Sequence, residues 1–253
     1  MPISYARRLA GRNRSADINR HLGFALTFVA GATNAGAFLA VKQYTSHMTG
    51  IVSSMSDNLV LGKFELVLGG VGGLTSFLLG AATSAVMINY ARRRNLHSEY
   101  ASPLLLEAFL LLCFGLLGAR ISSIEGLFVP ATVMLLCFIM GLQNAVISKL
   151  SGSEIRTTHI TGMVTDIGVE LGKLFYWNRN KSGELHDVMA NRNHLRLLTI
   201  FIMSFFGGGI FGALGFKYVG YSLTLPLAFT LVLLAGVPAI DDLRVFLRSV
   251  PEK

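Results

Sequence analysis

The residues F-V-A-G-A-T-N-A at 28–35, S-H-M-T-G at 46–50 and L-G-K at 61–63 return as F-I-M-G-L-Q-N-A at 138–145, T-H-I-T-G at 158–162 and L-G-K at 171–173. Phe28, Gly31, Asn34 and Ala35 match Phe138, Gly141, Asn144 and Ala145, and His47, Thr49 and Gly50 match His159, Thr161 and Gly162. One two-residue insertion separates the blocks and one compensating gap follows them. Two unrelated apolar helices would share Leu and Phe by chance, but not Asn, His, Thr and Gly in order. Weaker matches continue the repeat: Ser76-Phe77 with Gly80 against Ser204-Phe205 with Gly208, and Ala108-Phe109 against Ala228-Phe229.

The solvent for these copies follows from composition. Of 253 residues 52% are hydrophobic and 14% charged, against about 25% charged in a soluble domain. A chain this size still needs a wetted surface, so lipid is the surface that tolerates the deficit. A helix needs about 20 apolar residues to cross the hydrocarbon, and six segments qualify: 22–41, 66–90, 103–120, 127–148, 197–216 and 222–240. Residues 50–62 and 162–172 are helical in pattern but too short to span. Letting them cross would give eight spans and put the three arginines 92–94 outside.

Lys and Arg set the orientation. With the N-terminus inside, segments 1–21, 91–100, 149–196 and 241–253 hold eighteen of the 22 basic residues, and Lys42, Lys63, Arg120 and Lys217 fall outside. The net charge of +8 therefore reads as membrane orientation and not as a nucleic-acid surface. Residues 1–20 are basic and polar and the apolar run behind them is too long for a signal h-region, so insertion by the first span is expected. Cys113 and Cys137 lie inside apolar runs without metal or disulfide spacing. No cofactor and no metal site is expected.

Each copy holds three spans and one short helix. Three is odd, so the second copy enters the membrane upside down, as in the inverted repeats of many secondary transporters. The fold class expected is an all-α membrane protein of six helices in two inverted three-helix repeats, each with a short re-entrant or broken helix. Its parts are a basic cytoplasmic N-terminus (1–21), a first membrane repeat (22–125), a second (126–243) with a cytoplasmic loop at 174–196, and a cytoplasmic tail (244–253). The chain from Gln43 to Gly50 is long enough to dip to the midplane, so the two short helices are expected to face each other there.

The S-H-M-T-G block after an N-A helix, paired with G-L-Q-N-A and T-T-H-I-T-G-x-x-T-D, resembles the YoaK family of bacterial inner-membrane proteins, which are grouped under a domain of unknown function. The resemblance covers residues 20–240. It implies an inner-membrane location and brings no activity. One departure is Ile51, where the family pattern leads us to expect a polar residue, usually Asn.

Ionisable groups inside a membrane default to functional candidates. His47 and His159 suit a proton relay or a ligand contact. Thr49 and Thr161, each before a glycine, suit a helix N-cap or a polar ligand at a half-helix start, and Gly50 and Gly162 suit close backbone approach. Asn34 and Asn144 are read as lining the cavity or bonding across helices. These eight form the expected substrate site, with Asp57 and Asp166 as proton-coupling groups able to pair with the histidines. Gln143 and Thr33 rank lower. Glu107, opposite Leu227 in the repeat, is read as pairing with a base or sitting near an interface, and Tyr176 with Trp177 as an interfacial anchor. The function expected is a small-molecule transporter or permease, proton-coupled through those carboxylates, whose halves rock against each other. A membrane-embedded His/Asp enzyme and a non-transporting scaffold or sensor are the rivals, and the chain is expected not to be an enzyme. Expected partners are the bilayer and a small solute, with no nucleic acid; self-association is left open.

Overall fold

The computed structural model describes residues 16–96, 98–121, 125–150, 160–177 and 188–249. Among them all regular structure is helical: α1 (Ala16–Val41), α2 (Met48–Val60), α3 (Phe64–Arg93), α4 (Ala101–Ile121), α5 (Glu125–Leu150), α6 (Ile160–Phe175), α7 (Arg192–Val219), a 3-10 turn (Gly220–Leu223) and α8 (Thr224–Ser249). Five stretches are long and apolar enough to cross a membrane: Ile18–Val41, Phe64–Arg93, Ala101–Gly118, Val129–Leu150 and Arg192–Gly236. The fifth takes in α7 and the first half of α8, which are separated where Gly220 adopts a left-handed φ of 59° that a Cβ would oppose. Only α2 and α6, at 13 and 16 residues, fall short of a span. α8 continues through Ser249, past the expected boundary at 243.

Four glycines decide how the long helices meet. A Cβ on Gly31 of α1 would come under 3.0 Å from the Phe205 carbonyl of α7, and one on Gly208 of α7 from the Phe28 carbonyl of α1. A Cβ on Gly141 of α5 would meet the Phe77 carbonyl of α3, and one on Gly80 of α3 the Phe138 carbonyl of α5, just as closely. Small residues let backbones approach in a bilayer, where dispersion and weak polar contacts replace the hydrophobic effect. The four positions are the ones the repeat aligns, so the first long helix of each copy packs on the second long helix of the other.

Successive contacts give the helix directions. Gly23 meets Phe201, Gly31 meets Phe205 and Gly36 meets Phe216, so α1 and α7 run parallel. Gly72 meets Met134, Gly141 meets Phe77, and Lys149 Nζ donates to Asn89 Oδ1 at 3.1 Å, so α3 and α5 run parallel. Asn19 Nδ2 donates to the Leu150 carbonyl at 3.5 Å and Gln143 Nε2 to the Leu26 carbonyl at 2.9 Å, so α1 and α5 are antiparallel. Gly118 packs on Tyr221 and Gly115 on Thr224, which sets α4 antiparallel to α8. The core of Leu22, Leu26, Leu104, Leu111, Leu136, Met140, Leu227 and Leu231 fills the space among α1, α4, α5 and α8.

Arg92 closes the end where α3 leaves and α4 begins. Its guanidinium donates to the Tyr100 hydroxyl at 2.7 Å and to Glu99 Oε2 at 3.2 Å, and Tyr100 in turn donates to the Lys149 carbonyl at 3.2 Å. The ends of α3 and α5 and the start of α4 are thereby tied at one level.

A break between the first two helices as candidate functional site

Val41 ends α1, and Lys42 takes a left-handed φ of 56°, a conformation uncommon for a residue with a side chain. Six residues later α2 starts at Met48. Val41, Ile51, Val133 and Cys137 form one small apolar cluster, so α2 starts beside the point where α1 stops. Of the two forms expected, re-entrant or broken, the chain takes the broken one: it turns once at the break, continues through α2, and returns along α3 after the left-handed Gly62.

The expected capping also changes. His47, not Thr49, is the N-cap of α2, and its side chain makes no capping bond. The imidazole folds over the first turn instead: a Cβ on Gly50 would lie 2.5 Å from its Nδ1. Asn34 serves this turn. Its Oδ1 accepts from Ser46 Oγ at 3.0 Å, which holds the residue just before His47 against α1. Thr45 is buried beside it, and Thr49 is exposed.

Above the break α2, the start of α3 and the start of α5 enclose a groove of about 520 Å³. His47, Gly50, Ser54 and Asn58 supply one wall, at the i, i+3, i+4 spacing that puts side chains on one helix face. Lys42 and Glu65 add one charge of each sign, and Met55, Leu66, Val133 and Met134 the apolar part. The result is a small cavity, mostly apolar with a few convergent polar groups, of the kind that takes a small molecule. Asp57 is exposed and does not line it, so the expected pairing of His47 with Asp57 across the site is not formed. Tyr44, Ser54, Asn58 and Glu65 were missed in the sequence. Stepping by three and four from His47 would have found Ser54 and Asn58; nothing local points to Glu65, which arrives from another helix.

The second copy lies elsewhere. α6 packs along the start of α7, where Glu170 Oε2 accepts from the N–H of Asn191, the α7 N-cap, at 2.6 Å and Oε1 from Lys173 Nζ at 2.8 Å. Those bonds hold the Glu170 carboxyl below the usual carboxylate range. Thr161 and Asp166 are exposed, Gly162 is half-buried, and Thr165 Oγ1 donates to the Thr161 carbonyl at 2.9 Å. His159 lies outside the described residues. Trp177 is 84% exposed and Tyr176 60%, consistent with an interfacial pair. Asn144 is half-buried, and Gln143, ranked below it, bonds across helices to α1.

The two copies do not converge. Val41 touches the first break, whereas Asn19 bonds Leu150, the last residue of α5; 22 residues of helix separate these two contacts, or about 33 Å. Glu107 is also corrected. It is 0% exposed, with no hydrogen bond to either carboxyl oxygen among the described residues. Among the described residues it pairs with no base. No three His, Cys, Asp or Glu side chains among the described residues gather closely enough to share a metal ion.

Over residues 22–237 the chain matches the family described as "Protein of unknown function (DUF1275)". It is 26% identical over 182 residues to the UPF0700 transmembrane protein YoaK of Bacillus subtilis (strain 168), an alignment covering 70% of this chain and 76% of that relative. No solved structure matches.

Proposed function

We propose that this chain, which belongs to the DUF1275 family, is a small-molecule transporter or permease of the bacterial cytoplasmic membrane, with both termini on the cytoplasmic side. The observation that carries the reading is the groove at the broken helix. It is a mostly apolar cavity of about 520 Å³ with a few polar groups, where irregular backbone faces a space lined by protein, a setting in which a membrane tolerates it. The sequence copy of the T-G helix start, Thr161 and Gly162, opens α6, which packs on α7.

In this reading six helices cross the bilayer as two inverted repeats, and 178–187 belongs to the cytoplasmic loop. Support comes from α1 and α5, which carry the matched motifs and run antiparallel. The groove receives solute from outside and the α6 region serves the inner face. Lys42 and Glu65 leave it without net charge, which suits a neutral or zwitterionic solute. Rocking of one half against the other does not suit these contacts, because α1 is locked on α7 and α3 on α5. The moving parts are then α2 and α6, the short helices that pack mainly on one neighbour each.

Two experiments test this. Single cysteines at Lys42 and Lys173, in a background lacking Cys113 and Cys137, are labelled in intact cells with an impermeant thiol reagent. Reaction at 42 and not at 173 is expected; equal accessibility at both would overturn the inverted arrangement. Proteoliposomes of the full chain are then assayed by solute-induced swelling with polyols, sugars, amino acids and weak acids. Flux of at least one class above empty vesicles, lost in a normally folded His47→Ala variant, is expected. Swelling no faster than empty vesicles for every class would favour the scaffold or sensor.

A further inference from the structure

The groove does not account for Glu107. This carboxylate sits in α4 seven residues beyond Tyr100, or about 10 Å from that end of the helix. It is wholly buried and neither oxygen has a hydrogen-bond partner among the described residues. An ionised side chain inside a membrane is costly and is kept for function more often than for packing, and an unsatisfied buried carboxylate is the costlier case.

Two further orphans stand at the same level. The Tyr100–Lys149 bond fixes the register of α4 on α5, so the seventh residue after Tyr100 lies level with residues 142–143. Gln143 is there, buried. Its Nε2 donates to the Leu26 carbonyl, a bond only the amide nitrogen can make, so its Oε1 is the atom left over, and it has no partner. The Lys149–Asn89 bond sets Ser84, five residues before Asn89, at that height on α3, and its hydroxyl is also buried without a partner. The helices α3, α4 and α5 pack on one another. One level of the bundle thus holds four unpartnered oxygens, three of them acceptors only, and no positive group among the described side chains.

We propose that Glu107, with Gln143 and Ser84 beside it, binds one monovalent positive charge, a proton or a small metal cation such as sodium. One bound cation supplies the missing counter-charge, and Gln143 is already turned to present its oxygen. The other titratable groups on the elements packed against α4 lie towards the ends: Lys149 of α5 and Tyr90, Arg92 and Arg93 of α3 at one end, Glu65 of α3, Glu125 of α5 and Tyr221 of the 3-10 turn at the other. Cys137 of α5 packs with Val41 and Ile51, and Asp241, Asp242, Arg244 and Arg248 stand on the last turns of α8, past the residues level with Glu107. That this charge drives solute movement rests on the transport reading; that it binds does not.

The test therefore needs no solute. Thermal unfolding of the purified full chain in detergent is followed in choline chloride from pH 5.5 to 8.5, and at pH 8 with sodium replacing choline. Each tenfold rise in a ligand bound by the native state, once binding is saturating, raises the midpoint by about 3–5 °C. A rise with sodium at fixed pH assigns the site to sodium, and a rise only on acidification assigns it to the proton. Glu107→Gln removes the response in either case. The same response in wild type and Glu107→Gln, or no response in wild type, overturns the proposal. Should that variant not fold, wild type still decides: the dicyclohexylcarbodiimide adduct at Glu107, mapped by mass spectrometry, falls as sodium or pH rises, and labelling indifferent to both overturns it.

Discussion

Gly207 and Gly208 are neighbours on α7 and the structure assigns them opposite fates. A methyl group on Gly208 would enter the space of the Phe28 carbonyl, whereas one on Gly207 would find nothing within 4 Å. The obstruction is a backbone oxygen in the hydrogen-bond ladder of α1, so it cannot rotate aside as a side chain would. Gly208→Ala must separate α1 from α7, and overpacking of this kind costs about 1–3 kcal/mol; the rigidity of the carbonyl puts this case at the upper end. Gly207→Ala only removes helix-disfavouring freedom and is expected to stabilise by about 0.5–1 kcal/mol. The two alanines should therefore differ by roughly 2–4 kcal/mol, although they are adjacent and chemically identical. Titration of the purified protein from mild detergent into sodium dodecyl sulfate, with helicity as the readout, gives both values. If the two variants unfold within about 0.5 kcal/mol of each other, the close crossing of α1 on α7 is wrong, and with it the pairing that defines the bundle. Alanine at Gly31, Gly80 or Gly141 should behave like Gly208→Ala.

Gly50→Ala is expected to displace the His47 ring, which is exposed at the end of a rotatable side chain, and so to abolish solute flux in the swelling assay while leaving the unfolding midpoint unchanged. Gln143→Leu removes the bond to the Leu26 carbonyl and should cost about 0.6–2 kcal/mol in the same titration, since hydrogen bonds between membrane helices average near the lower figure. Glu170 predicts a pH effect. Its carboxyl lies below the usual carboxylate range, so the stability it contributes is present above its unfolded pKa and disappears as pH falls through the lower folded value. The amide of Asn191 should exchange faster in Glu170→Gln than in wild type at neutral pH, and the two rates should meet only in acid.

The long apolar stretches were legible because hydrocarbon thickness imposes a length, and the repeat because Asn and His are rare enough in lipid for their order, with Gly and Thr at matched positions beside them, to be informative. The same signal located the four crossing glycines, though not what each would touch. What failed was the third dimension. Residues 43–50 are long enough to reach the midplane, and length alone favoured a dip; the position of Val41 beside Ile51 is set by α5, which sequence cannot place. Convergence of His47 with the second copy was inferred from symmetry, but a two-fold relation fixes orientation and leaves separation free, and His159 lies outside the described residues. Glu107 was misread because its character lies in the absence of a partner, which no local pattern reports.

The exchange of contacts between the copies has a consequence for biosynthesis. The face of α1 carrying Gly31 is completed by Phe205 and Gly209, some 170 residues later in the chain. At about 5–20 residues per second the ribosome delivers them roughly 10–30 s after α1 has entered the membrane. Throughout that interval α1 must remain inserted with its docking face against lipid or the insertion machinery, and no nascent chain ending before α7 can complete it. Assembly is therefore a late, nearly post-synthetic event, and a product truncated before α7 would be left with an uncovered glycine seam, the feature by which a membrane quality-control protease could recognise it as unfinished.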